Sequence, residues 1–237
     1  MPEAQMHEFK PERRTAGIVL LGSFNALQFH PLWFKEQEVF SPDEVDNVLR
    51  RKDEMICAPG FTTFHTSHIL LKVEDSRFEV TALKEPLEAV VDVCKKIFEG
   101  LETQTVTAMG INTTAHFRMP DISTFHKFGD LLAPKDRWSG FLGADVSGDD
   151  RQGGLASLSM MRKKTEGKGS RMMKIERSGA YSPPSVGIFV NCNDHFSFES
   201  NDNIGIDVGD AMEILAENFN TTLNDFLAFY QDLFRGM

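Results

Sequence analysis

Segments of strand length, rich in β-branched and aromatic residues and separated by polar turns, recur along this chain. Such spacing predicts antiparallel strands. Strands are predicted at 15–29, 61–73, 77–83, 104–118, 154–163, 170–178 and 187–198. Pro31 cannot donate to a strand ladder, so HPLWF at 30–34 is expected to end the first strand.

Four segments between or after these strands have helical features. Ser41-Pro42-Asp43-Glu44 combines a capping serine, a proline at the first helical position and two acidic residues, which predicts a short helix to about Arg51. Apolar residues at helical spacing predict further helices at 86–101, 121–132 and 209–235. The segment 133–154 is predicted to be a loop. Strands interspersed with few helices indicate an α+β fold with helices packed on one face of antiparallel sheets.

The chain contains a short internal repeat, which we call the echo. The segments 111–117 and 190–196 share the pattern aliphatic-Asn-x-x-x-His-Phe, and each follows a predicted hairpin and precedes a predicted helix. This pattern predicts two related halves, at about 60–135 and 152–237, within one domain that follows a polar tail at 1–14. Coincidence is the alternative, since the pattern is short.

The stretch VNCNDHFSF at 190–198 has the composition of a metal site. In a strand, however, successive side chains point to opposite faces, so Cys192 and His195 would be separated. We therefore predict no metal site. No nucleophile motif, nucleotide fingerprint or catalytic cysteine context is recognisable, and neither a catalytic residue nor a cofactor is predicted.

The same alternation places an Asn and a His four residues apart on one face of each echo strand. Two such strands side by side would assemble a patch of Asn112, His116, Asn191 and His195. This patch is a candidate site for a polar ligand, in a binding protein or an enzyme, or for pH sensing. The alternative is a hydrogen-bonded polar ladder with no ligand.

The segment 162–177 is strongly basic in a protein whose net charge is −10. Its candidate anion-binding residues are Arg162, Lys163, Lys164, Lys168, Arg171 and Lys174. They would suit a nucleotide, a nucleic acid or an acidic protein surface. The alternative is a solvated hairpin whose lysines protect a sheet edge from aggregation.

The C-terminal helix carries apolar residues beyond a single stripe. Phe226 belongs to the stripe, whereas Leu227, Phe229 and Leu233 lie outside it. A helix that is apolar over so much of its circumference is usually covered from two sides. These four residues are candidates for a subunit interface, and the alternative is a deep groove within one domain.

Composition narrows the class of protein. The acidic net charge argues against a general nucleic-acid coat, and three widely spaced cysteines argue against a disulfide framework. No segment has the length and hydrophobicity of a signal peptide or membrane span. We expect a cytoplasmic protein that does not associate with membranes.

The segments SFNALQFHPLWF, AMGINTTAHF, HKFGDLLAPKDRW and GIFVNCNDHF, in this order before a long C-terminal helix, resemble a sporadically distributed family of uncharacterised bacterial proteins of similar length. The resemblance implies a bacterial, cytoplasmic α+β protein, and patchy distribution is typical of defence-linked genes. It implies no activity and no site residue. The hypothesis is a non-enzymatic interaction protein, a homo-oligomer with a possible protein partner.

Overall fold

The computed structural model describes residues 9–99, 101, 104–142, 154–164, 169–183, 185–198, 205–235 and 237. It confirms the α+β prediction. The strands are β1 (Arg13–Gly22), β2 (Ile56–Ala58), β3 (Phe61–His65), β4 (Ile69–Glu74), β5 (Arg77–Ala82), β6 (Thr105–Met119), β7 (Ser157–Lys163), β8 (Gly169–Arg177), β9 (Val186–Ser197) and β10 (Ile206–Asp207). The helices are α1 (Pro31–Glu36), α2 (Pro42–Arg50), α3 (Ala89–Glu99), α4 (Ile122–Leu132), α5 (Ser139–Leu142) and α6 (Val208–Leu233).

The strands form a 10-stranded antiparallel sheet in the order β2-β3-β4-β5-β1-β6-β9-β8-β7, with β10 pairing with β6. The two echo segments therefore lie on neighbouring strands, β6 and β9. Whether they derive from two related halves stays a prediction, because β6 joins both sides of one continuous sheet.

Alternate residues along the strands face the helices, and we call this side the helix-covered face. Ile18 on β1, Val80 on β5 and Val190 on β9 lie there and are fully buried. On the opposite side, which we call the open face, Thr15 and Asn191 are partly exposed. Period-two burial thus follows from the pleat of each strand.

Two hydrophobic clusters lie under the helices. The first contains the buried apolar residues of β1, β4, β5 and α3, and Cys94 of α3 is a buried member. The second joins β6, β8 and β9 to α4 and the last turns of α6. Residues of α6 belong to both clusters, with Phe219 in the first and Phe226 in the second, so this helix links the two clusters across the centre of the sheet.

Local chemistry explains the helix starts. The Ser41 hydroxyl accepts a hydrogen bond from the Glu44 amide at 3.3 Å, and the Ser41 amide donates to the Glu44 carboxylate at 3.1 Å. This capping box confirms the predicted start of α2. Asp121 caps α4 in the same way, accepting from the Thr124 amide at 2.6 Å.

The first predicted strand was too long. β1 ends at Gly22, where its register with β6 shifts, and a 3-10 turn follows at Ala26–Phe29. The chain turns there because Phe29 is buried in the first cluster. The prediction for the next segment was also wrong. Pro31 does not end the strand but starts α1, where its missing amide costs nothing.

The segment 61–73 was predicted as one strand and forms two. Thr66 is buried, and its hydroxyl accepts hydrogen bonds from the amides of His68 at 3.2 Å and Ile69 at 3.0 Å. A threonine hydroxyl that satisfies amides two and three residues on stabilises a turn in place of a strand. β3 and β4 therefore pair with each other as a hairpin.

The predicted loop at 133–154 also contains structure. A 3-10 turn at Lys135–Arg137 precedes α5, and the remainder of the predicted loop up to residue 153 lies outside the described residues. None of the helices in the described ranges has the length and hydrophobicity needed to cross a membrane.

Candidate functional site

The residues of VNCNDHFSF alternate across the sheet, as predicted. On β9, Cys192 and Asp194 are buried on the helix-covered face, whereas Asn191, Asn193 and His195 lie on the open face. Cys192 and His195 therefore cannot bind a common metal ion. Within the described residues, no group of three or more His, Cys, Asp or Glu side chains is arranged to hold a metal.

The predicted Asn and His patch lies on the open face, but the strands do not assemble it as expected. β6 and β9 run antiparallel, with Asn112 opposite Asn193 and His116 opposite Phe189. His195 lies opposite Gly110, six residues along β6 from His116. At about 3.4 Å per residue the two imidazoles are roughly 20 Å apart. The histidine pair is therefore a wrong prediction.

The polar groups of this patch bind one another. Asn193 donates to the Asn112 side-chain oxygen at 2.6 Å, and Asn191 donates to the Thr113 carbonyl at 3.4 Å. His116 shares a hydrogen bond of 2.8 Å with the Ser178 hydroxyl. These contacts favour the polar-ladder alternative. Burial, helped by the positive charge of Arg13, lowers the pKa of His116 and favours its neutral form.

A charged centre lies on the other side of β9, beneath α6. The Asp194 side chain is only 1% exposed and accepts hydrogen bonds from Arg171 of β8 at 2.6 Å and from Thr222 of α6 at 2.7 Å. Lys164 lies 2.8 Å from its other oxygen, and Arg171 also binds Asp225 of α6. The centre joins the β7–β8 hairpin, β9 and α6.

The charges of this centre support each other. Burial alone would raise the pKa of Asp194, but the hydrogen bonds from Arg171, Lys164 and Thr222 outweigh it, and the pKa falls below its usual value. Burial of the neighbouring Cys192 thiol raises its pKa to about 11, so the thiol stays protonated at neutral pH. A protonated buried thiol is a poor nucleophile.

This centre changes the interpretation of the basic hairpin. Arg171 and Lys164, two of the predicted anion-binding residues, are balanced by Asp194 and Asp225 together, and Lys174 pairs with Glu176 at 2.6 Å. Their selection as sites for an external anion does not fit these contacts. Arg162 and Lys163 are exposed at the end of β7, and Lys168 lies outside the described residues.

The predicted interface residues of α6 are used within the chain. Phe226 is 1% exposed and belongs to the second cluster, and Leu227, Phe229 and Leu233 pack partly against that cluster. The deep-groove alternative accounts for their arrangement, because the sheet covers one side of α6 while α4 and Phe9 cover another. Assigning Phe226 to an interface was therefore wrong.

Exposed apolar surface occurs instead along β7. All residues of β7 except the half-buried Leu158 are exposed, and Met160 and Met161 are 68% and 66% exposed. Met172 of β8 is next to Met161 on the open face and is 36% exposed. β7 is the outermost strand, so its outer edge has no strand neighbour in the described chain.

A shallow groove of about 540 Å³ lies between α3 and α6. Its apolar floor is formed by Phe98 and Met212, which are already buried, and its rim includes the acidic residues Glu99, Glu213 and Glu217. It offers little accessible apolar surface.

The charged centre and the exposed edge of β7 could be predicted only in part from the sequence. The acid at position 194 beneath a helix and the bases at 164 and 171 are visible as charges, but their pairing depends on the β8–β9 register. The exposed edge of β7 could not be predicted, because it depends on the order of the strands in the sheet.

No family model and no curated protein sequence matches this chain significantly.

Proposed function

We propose that this chain is a non-enzymatic interaction protein that binds an extended protein segment at the outer edge of β7. The observation that carries the proposal is a seven-residue outer strand with exposed methionines on both faces. A strand edge presents a row of unpaired amide and carbonyl groups, which is a template for another chain.

β7 has few of the features that usually prevent such pairing. Proteins protect edges with short strands, proline, bulges or charges. β2, at the opposite edge of the sheet, has only three residues, whereas β7 has seven, contains no proline and carries charges only at Arg162 and Lys163. The asymmetry between the edges supports β7 as the one that accepts a strand.

Strand addition gives each part of β7 a role. Hydrogen bonds between main chains supply affinity, and alternating side chains supply specificity. Met160 would contact the added segment on the helix-covered face, and Met161 would contact it on the open face. Methionine adapts its shape to different neighbours, which suits a binding surface.

The alternatives have less support. Nucleic-acid binding by the hairpin requires a row of free cations, but Asp194 and Asp225 together balance Arg171 and Lys164, and Glu176 pairs with Lys174, which leaves Arg162 and Lys163 as the exposed cations of β7. A ligand held by both His116 and His195 conflicts with the distance between them. Cys57, Cys94 and Cys192 are free thiols, which supports a reducing compartment such as the bacterial cytoplasm as part of the proposal.

Replacing Met161 by proline tests strand addition. The Lys164 amide bonds to β8, and bonded positions alternate along a strand, so the Met161 amide points away from β8. Proline at this position removes an outward donor without removing a β7–β8 hydrogen bond. Displayed extended peptides are selected on the wild-type protein and then tested on Met161→Pro. We expect the selected peptides to lose at least tenfold in affinity for this variant.

Met161→Ala is the matched control, because it removes the same side chain but keeps the amide. It should retain most of the affinity, and both variants should keep the wild-type unfolding midpoint within a few degrees. If the selected peptides bind Met161→Pro as tightly as the wild type, β7 is not the docking edge.

A further inference from the structure

We infer that the strand added to β7 is β7 of a second copy of this chain, antiparallel to the first about a two-fold axis at Met160. This inference rests on the proposed function and specifies its partner. It follows from the hydrogen-bonding phase of β7, from the length of the strand and from the charges beside it.

The hydrogen-bonding phase is set at the end of the hairpin. The Lys164 amide donates to the Gly169 carbonyl at 3.1 Å, so residue 164 belongs to a hydrogen-bonded pair with β8. In an antiparallel ladder such pairs alternate with non-bonded pairs. Met160 and Arg162 therefore bond to β8, and Ser157, Ser159, Met161 and Lys163 direct their amides and carbonyls outward.

The length of β7 then selects one register. Two antiparallel copies pair all seven residues only when the axis passes through Met160. In that register Ser159 faces Met161 of the partner subunit and Ser157 faces Lys163 of the partner subunit. All of these residues have outward main-chain groups, so about eight hydrogen bonds form between the copies.

Charges beside β7 favour the same register. Ser157 lies opposite Glu176 of β8, and Ser159 lies opposite Lys174. Glu176 already pairs with Lys174 at 2.6 Å. With the axis at Met160, the partner's Lys163 lies in one row with Ser157 and Glu176, about 10 Å from Glu176 at the main chain, and so approaches the acidic end of this pair. With the axis at Met161, the partner's Lys163 would lie in the row of Lys174, the basic end of the pair.

Methionines fill the centre of this interface on the helix-covered face. Met160 lies opposite Met173 of β8, so the row through the axis reads Met173, Met160, the partner's Met160 and the partner's Met173. The central pair is not hydrogen-bonded, and side chains approach most closely at such pairs. Pairing therefore covers the most exposed apolar side chain of β7.

The expected dimer is weak. One seven-residue strand pair buries less than the roughly 1,200 Å² at the lower end of standard interfaces. Complexes of this kind dissociate readily, and we expect a dissociation constant in the micromolar range. The protein is therefore expected to exchange between monomer and dimer at working concentrations.

Cysteine cross-linking distinguishes the registers. In the proposed dimer the two residues at position 160 have Cα atoms about 4.5 Å apart, within the range that a disulfide spans, whereas those at position 161 are about 8 Å apart. Under mild oxidation at a concentration of about 100 µM, Met160→Cys should become a covalent dimer. Met161→Cys and the wild type, whose thiols include Cys57, should give little dimer.

Light scattering provides a second readout that needs no new thiol. Met160→Asp places two like charges on the axis and should raise the dissociation constant at least tenfold. Cross-linking of Met161→Cys in preference to Met160→Cys would overturn the register. A wild-type protein that stays monomeric at 100 µM, with no cross-linking of Met160→Cys, would overturn the second copy as partner.

The two proposals fail in different ways. If the protein is monomeric but selected peptides bind the wild type and not Met161→Pro, β7 accepts a strand from another protein and only the second copy as partner is wrong. If no peptide distinguishes these proteins and no dimer forms, strand addition itself is wrong.

Discussion

Asp194→Asn is expected to lower the free energy of unfolding by about 3–5 kcal/mol, the cost of removing one partner from a buried ion pair. Asparagine keeps the shape and one acceptor but removes the buried charge that Arg171 and Lys164 share, and these side chains are only 12% and 22% exposed. Since a domain is stable by only about 5–15 kcal/mol, this loss is large. Urea unfolding at neutral pH measures it.

Asp232→Asn is the matched control. Asp232 also pairs with an arginine, Arg235, but both side chains are well exposed, and such pairs contribute little. The unfolding midpoint of the control should remain at the wild-type value. Equal midpoints for Asp194→Asn and Asp232→Asn would show that the charged centre does not stabilise the fold.

The same carboxylate gives stability a pH dependence. The folded pKa of Asp194 lies below the usual aspartate value of 3.8, so its charged form stabilises the protein fully above that value. This contribution disappears as the pH falls through the lower folded pKa. The stability of the wild type should thus approach that of Asp194→Asn in acid.

Phe226→Ala is expected to destabilise the chain by about 3–5 kcal/mol, because a fully buried phenylalanine is replaced and a cavity remains. The Phe226 ring packs edge-on against Tyr230, with the ring centroids 5.4 Å apart, in the cluster that joins α6 to β6 and β9. Thermal and urea unfolding of the variant measure this loss.

Two comparisons test whether the loss of stability comes from the buried ring of Phe226. Phe229→Ala removes a half-buried ring of the same helix and should cost less. Phe226→Ala should leave the dimerisation constant of the remaining folded protein unchanged, since position 226 faces the core. A variant with wild-type stability but impaired dimerisation would restore α6 as the interface and contradict dimerisation through β7.

Local features of the fold were predictable where one short segment contains its own cause. The start of α2 at the Ser41 cap and the amphipathic stripe of α3 are determined by residues that are close in sequence, and both were predicted. The alternation along β9 follows from the pleat alone, which is why the separation of Cys192 from His195 was also predictable.

The errors arose where a contact joins distant residues. The turn at Thr66 depends on one buried hydroxyl that replaces strand hydrogen bonds, and strand propensity does not reveal it. The separation of His116 from His195 depends on the antiparallel register of β6 and β9. Likewise, apolar residues on α6 indicate burial from two sides, but not whether the cover is another subunit or the same chain.

Amide hydrogen exchange along β7, measured at low and high protein concentration, tests the central claim most directly. We expect the amides of Ser159 and Met161 to exchange rapidly in dilute protein and to become protected as concentration rises, while the Met160 amide is protected at both. Protection of Ser159 and Met161 in the dilute monomer, or rapid exchange at every concentration, would contradict an open edge that pairs with a second copy.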